Sequence, residues 1–138
     1  MKLTLFISLF LLGFCIQAQT DDFLWKSEYS TALKAAANEN KPILLYTVNG
    51  MTSSESQLIE NEFLQSDEIK KFKNTLVFLK LNVTNDGYAK RIAKRYTKNS
   101  VPAIALIDSK QSPIGEPLTR INSENISNYI KYLKTKIL

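Results

Sequence analysis

The chain has 138 residues, a formal net charge of +5 and hydrophobic residues at 44% of positions, which is the make-up of one folded domain. It holds one cysteine and no histidine. Thiol exchange needs two sulfurs, zinc centres draw on Cys and His, and Ser-His-Asp or Cys-His catalysis needs an imidazole, so these chemistries lack their residues here.

The first residues carry an address. Met1-Lys2 is a short positive start, Leu3 to Ile16 is almost unbroken apolar, and Gln17-Ala18-Gln19 restores polarity. This is the layout of a secretory signal peptide (1–18), cleaved after Ala18, ahead of a folded domain at 19–138. The apolar run is shorter than the ~20 residues of a spanning helix, so membrane contact is expected only through this segment if it stays uncleaved. Cys15 admits lipidation as the alternative, against which Phe14 stands where a small residue is needed. Cleavage removes the one cysteine. The expected location is the periplasm or the extracellular space, where nucleic acid is not the partner. The mild basic excess suits an acidic partner or an anionic envelope surface, and equally serves solubility.

In the mature chain, Thr20 to Phe23 reads as a flexible lead-in. Ser27 is an expected N-cap for a helix running to about Asn38, with Trp25 packing back on it and Tyr29, Leu33 and Ala36 at helical spacing. Pro42 excludes Lys41 from helical geometry. Ile43 to Val48 is apolar on both faces and predicts a central strand. Asn49-Gly50 turns the chain into a helix that begins at Ser53 or Ser54, ends near Gln65 and shows Leu58, Ile59 and Phe63 to the core. Ser66 caps a short helix to Lys73. Leu76 to Val83 is the next strand, apolar apart from Lys80, and Asn85-Asp86-Gly87 is a turn. A helix from Tyr88 to Thr97 sets Ile92, Ala93 and Tyr96 against a basic side of Lys90, Arg91, Lys94 and Arg95, read as a solvated face. Ala103 to Ile107 is a short strand. Pro113 to Ile121 predicts a weaker edge strand because it contains Pro117. Asn122 or Ser123 caps a last helix with Ile126, Tyr129, Ile130, Leu133 and Ile137 on its core side. Asp86, Asp108 and Glu116 lack calcium-loop spacing and take turn and cap roles; no metal and no cofactor is expected. The pattern gives an α/β domain whose mixed four-stranded sheet carries helices on both faces.

Several of these pieces match one family. Trp25, Ala35-Ala36-Ala37, Lys41-Pro42 with Ile43-Leu44-Leu45, Phe63, Tyr96, Val101-Pro102 and the strand from Ala103 to Asp108 stand in the order and spacing of a thioredoxin-fold protein. The chain most resembles the secreted thioredoxin-like branch that includes the periplasmic C-terminal domain of the membrane thiol-disulfide interchange protein. The resemblance implies that the Cys-x-x-Cys of that branch falls at Thr52-Ser53-Ser54-Glu55, the preceding aromatic at Met51 and the buried acid near Tyr46. It further implies a cis Pro102, beside which backbone groups of Val101 pair with an extended polypeptide.

A site of this composition has two readings. Ser53 or Thr52 with Glu55 could be a hydroxyl and carboxylate pair, but a serine needs an activating base. The other reading is that a serine caps the helix and Glu55 favours its positive end. Dithiol-disulfide oxidoreductase activity is not expected. The expected function is non-catalytic binding of an extended polypeptide or envelope protein by Met51, Thr52, Ser53, Ser54, Glu55, Val101 and Pro102. The alternatives are an oxidoreductase that borrows a thiol such as glutathione, and a purely structural domain.

Overall fold

The computed structural model describes residues 23–84 and 86–137. The expected signal peptide, its cleavage site and Cys15 lie outside the described residues.

Helix α1 (Tyr29–Glu39) leads into the central strand β1 (Ile43–Val48). The short α2 (Ser54–Leu58) continues as a π-helical segment, Ile59–Leu64, and α3 (Asp67–Lys70) follows. Strand β2 (Val77–Asn82), α4 (Gly87–Thr97), β3 (Ala103–Ile107) and α5 (Ser123–Ile137) complete the order. The three strands lie in the order β2-β1-β3, β1 pairing parallel with β2 and antiparallel with β3.

Strand periodicity divides the core in two. Leu44, Tyr46, Phe78, Ile104 and Leu106 face the α2, π, α3 and α5 side, where Ile59, Phe63, Ile126 and Leu133 meet them. Ile43, Leu45, Leu79, Ala105 and Ile107 face α1 and α4, which contribute Tyr29, Ala32, Ala36, Ala89 and Ile92. The sheet is thus covered on both faces, as β1 requires, since Ile43 to Thr47 are all buried.

The sheet has three strands among the described residues, not the four expected. The segment after β3 makes only two bridges to it, Ile107 to Pro113 and Ile104 to Leu118. Between them Ile104 to Ile107 spans three steps while Pro113 to Leu118 spans five, so two surplus residues break the ladder. Gly115, at φ +65°, absorbs the bend under the Tyr132 ring. Two other expectations are corrected. Glu28, not Ser27, is the N-cap residue of α1, and it makes no side-chain cap bond. Phe23 is not a flexible lead-in: it is buried and stacked on Phe78 with ring centroids 4.3 Å apart. Lys26, three residues on, pairs along the outer edge of β2, its N–H donating to the Phe78 carbonyl at 2.7 Å and its carbonyl accepting from the Lys80 N–H at 3.0 Å.

Candidate functional site at the end of the central strand

The corner forms where β1 ends. Thr47 pairs with Ala103, so continuing the antiparallel register sets Pro102 across from Val48 and Val101 across from Asn49. The Val101–Pro102 peptide bond is cis. The fully buried Thr47 hydroxyl donates to the Ser100 carbonyl at 3.0 Å, and the Thr97 hydroxyl reaches the same oxygen at 3.3 Å. These two threonines clamp the loop before Pro102. The backbone groups of Val101 have no hydrogen-bond partner among the described residues.

On the other side, Gly50 at φ +76° makes the turn, and the Asn49 side-chain oxygen accepts from the Met51 N–H at 3.0 Å. Glycine is needed here for its backbone conformation, and a Cβ would also press the Asn82 amide at 3.2 Å. The Thr84 hydroxyl donates to the Asn49 carbonyl. Met51 is then left 75% exposed at the tip.

Ser53 is the N-cap of α2. Its hydroxyl oxygen accepts from the Ser56 N–H at 3.0 Å, and the Ser56 hydroxyl oxygen accepts from the Ser53 N–H at 2.8 Å. This reciprocal capping box satisfies two helix-terminal donors with serine standing where Glu is common. The Ser54 hydroxyl donates to the Glu55 carboxylate at 3.2 Å, both groups in solvent. Exposed Thr52 precedes the cap. The capping reading of Ser53 therefore accounts for its geometry. The one carboxylate that meets these hydroxyls, Glu55 on Ser54, is solvent-exposed, and among the described residues no other base approaches them, so the geometry offers no activated nucleophile.

Beside the loop lies a groove of about 320 Å³ between β1, β2 and the α2–π segment. Met51 and Thr52 form its lip, and Tyr46, Glu60 and Lys80 line its interior. The Lys80 ammonium sits 5.4 Å from both the Trp25 and Tyr46 ring centroids and 3.8 Å from the Glu60 carboxylate. Burial pushes the Tyr46 hydroxyl well above the ordinary tyrosine range, and the neighbouring Glu60 carboxylate pushes it further. The position that the resemblance assigns to a buried acid thus carries a neutral phenol held between a cation and an anion.

Of the predicted site residues, Met51 to Glu55 form one continuous loop and helix start, and the strand register brings Val101 and Pro102 to its flank. The sequence reading missed the Trp25, Glu60 and Lys80 cluster. Its signal was present, because Lys80 is the one charge in β2, set within the apolar run Val77 to Leu81.

A thioredoxin-like family model matches residues 24–109. The chain belongs to the thioredoxin-like family. Among solved structures it is similar to a thioredoxin from Thermus thermophilus, at TM-score 0.66 and 15% identity, covering 83% of this chain and 89% of that one. It is similar to a DsbH oxidoreductase at TM-score 0.63 and 18% identity, covering 83% of this chain and 84% of that one. The Neisseria meningitidis DsbD C-terminal domain in its reduced form gives TM-score 0.61 and 19% identity, over 77% of this chain and 91% of that domain. No curated protein matches the chain. At these identities the likeness is one of fold.

Proposed function

We propose that this chain is an exported thioredoxin-fold protein without a redox dithiol, and that its corner binds an extended polypeptide. The observation that carries the reading is Met51, an unbranched apolar side chain left 75% exposed at the lip of the groove. Methionine adapts to varied apolar partners, which suits a surface that holds unlike sequences. The unpartnered backbone of Val101 supports the same reading, because main-chain groups can pair with a passing strand whatever its side chains. Thr52 and Glu55 stand in the expected sulfur positions, so binding there proceeds without electron exchange. The chain's signal-like start and its likeness to the DsbD C-terminal domain support export to the periplasm. Among the described residues no helix is long and apolar enough to cross a membrane.

The test uses reduced, carboxymethylated lactalbumin as an unfolded polypeptide, titrated into the mature chain and its Met51→Asp variant. The expected result is saturable binding that weakens at least tenfold with Asp at the lip. Equal binding by both proteins would remove the reading.

A further inference from the structure

A second groove, of about 520 Å³, lies between α5 and the segment that follows β3, and it includes no residue of the corner. One wall is a single face of α5, where Asn125, Asn128, Tyr129 and Tyr132 stand at the helical spacing of i, i+3, i+4 and i+7. The opposite wall is the chain at Pro117 to Arg120. Its backbone has a defined sidedness. The Leu118 N–H donates to the Ile104 carbonyl at 2.8 Å, and the Leu118 carbonyl accepts from the Ile104 N–H at 3.0 Å. Antiparallel alternation therefore turns the groups of Pro117 and Thr119 away from β3, toward the open side. Thr119 has no backbone partner among the described residues.

A further observation points to the occupant's charge: the rim is positive. Glu116 is neutralised by Lys98 at 3.0 Å, whereas Arg120 has no ion-pair partner among the described residues and the Lys136 ammonium lies 5.7 Å from the Tyr132 ring centroid.

We propose that this groove is a second polypeptide site, independent of the corner, which takes an extended segment bearing an acidic side chain as an added antiparallel strand. The residue opposite Thr119 exchanges two main-chain hydrogen bonds with it. A second residue of the same strand donates to the Pro117 carbonyl. Pro117 has no N–H to give, so the edge offers three bonds and does not template a long ladder. Asn125 and Asn128 face the incoming side chains from α5, and Arg120 receives the carboxylate.

The experiment titrates the ¹⁵N-labelled chain with an acetylated, amidated octapeptide of alternating valine and threonine carrying one central glutamate. The expected result is a saturable shift of the Thr119 amide and the Asn128 side-chain amide, distinct from any shift at Met51 to Glu55. Thr119→Pro removes the outward donor without breaking an internal bond, and Asn128→Trp fills the groove. Each should weaken binding at least tenfold, as should N-methylation of the peptide backbone. Arg120→Ala should weaken the glutamate peptide and leave its glutamine counterpart unchanged. A peptide that shifts only Met51 to Glu55, or that binds Thr119→Pro and Asn128→Trp as well as the parent, would overturn the proposal. So would the absence of any shift at millimolar peptide.

Discussion

Three hydroxyl groups, two in the corner and one in the wall of the second groove, show how much depends on single side chains. Ser53 closes the α2 N-terminus, and because helix N-caps contribute about 1 kcal/mol, Ser53→Ala should lower the unfolding free energy in urea by that amount while Ser53→Asp restores it. Thr47 holds the loop before Pro102 from within the core; Thr47→Val keeps its shape and removes the donor to Ser100, with an expected loss of about 1 kcal/mol in the same denaturation experiment. Tyr129 behaves in the opposite sense. Its hydroxyl is buried with no hydrogen-bond partner among the described residues, so Tyr129→Phe should be neutral or stabilise by about 1 kcal/mol in chemical denaturation. Tyr29, Tyr46 and Tyr129 are all raised above the ordinary tyrosine value of 10.0, chiefly by burial. The unfolded chain therefore loses these protons first as pH rises through that value, and the folded chain binds more protons than the unfolded one. Stability should hold below about pH 10 and fall above it. Urea midpoints at pH 8 and pH 10.5 measure the fall, and Tyr46→Phe should reduce it.

Elements were legible where their causes are local. The strands at Ile43 to Val48 and Ala103 to Ile107 follow from unbroken apolar runs, and the α4 start follows from Asp86, whose carboxylate accepts from the Tyr88 and Ala89 N–H groups at 2.9 and 3.3 Å. Asn122 likewise caps α5, accepting from the Asn125 N–H at 2.8 Å. The π-helical segment was not legible, because Ile59 to Leu64 contains neither Pro nor Gly. Its i→i+5 bonding instead accompanies a packing demand, since Ile59, Phe63 and Leu64 are all buried in one core cluster. The fourth strand failed for a countable reason, the two surplus residues around Gly115, which pattern reading does not detect. Gly115 is therefore a sharp test of that bend. A Cβ there meets the Tyr132 ring and its hydroxyl while forcing a left-handed backbone, so Gly115→Ala should destabilise the chain by more than about 1 kcal/mol in thermal or urea unfolding.

At the scale of the molecule, the three-layer arrangement keeps every part that positions a thioredoxin-like corner: the central strand, the Gly50 turn, the capped helix and the clamped Pro102 loop. Residues 52 to 55 were readable in sequence because Lys41-Pro42 and Phe63 anchor the spacing on both sides. The groove beneath them was not, since Trp25, Glu60 and Lys80 meet only through sheet pairing and helix packing. On the proposed reading the chain carries a solvated Thr52 and Glu55 where the resemblance places sulfur, and a buried phenol at Tyr46 where it places an acid. The central claim is that these substitutions sit on an unaltered scaffold. It is tested most directly by restoring the pair, Thr52→Cys with Glu55→Cys, in the mature chain and counting free thiols after mild oxidation. The account predicts an intramolecular disulfide in the double variant, with the fold unchanged by circular dichroism, because residues three apart at a helix start meet bridge geometry. Two free thiols persisting in the folded, oxidised protein would contradict it.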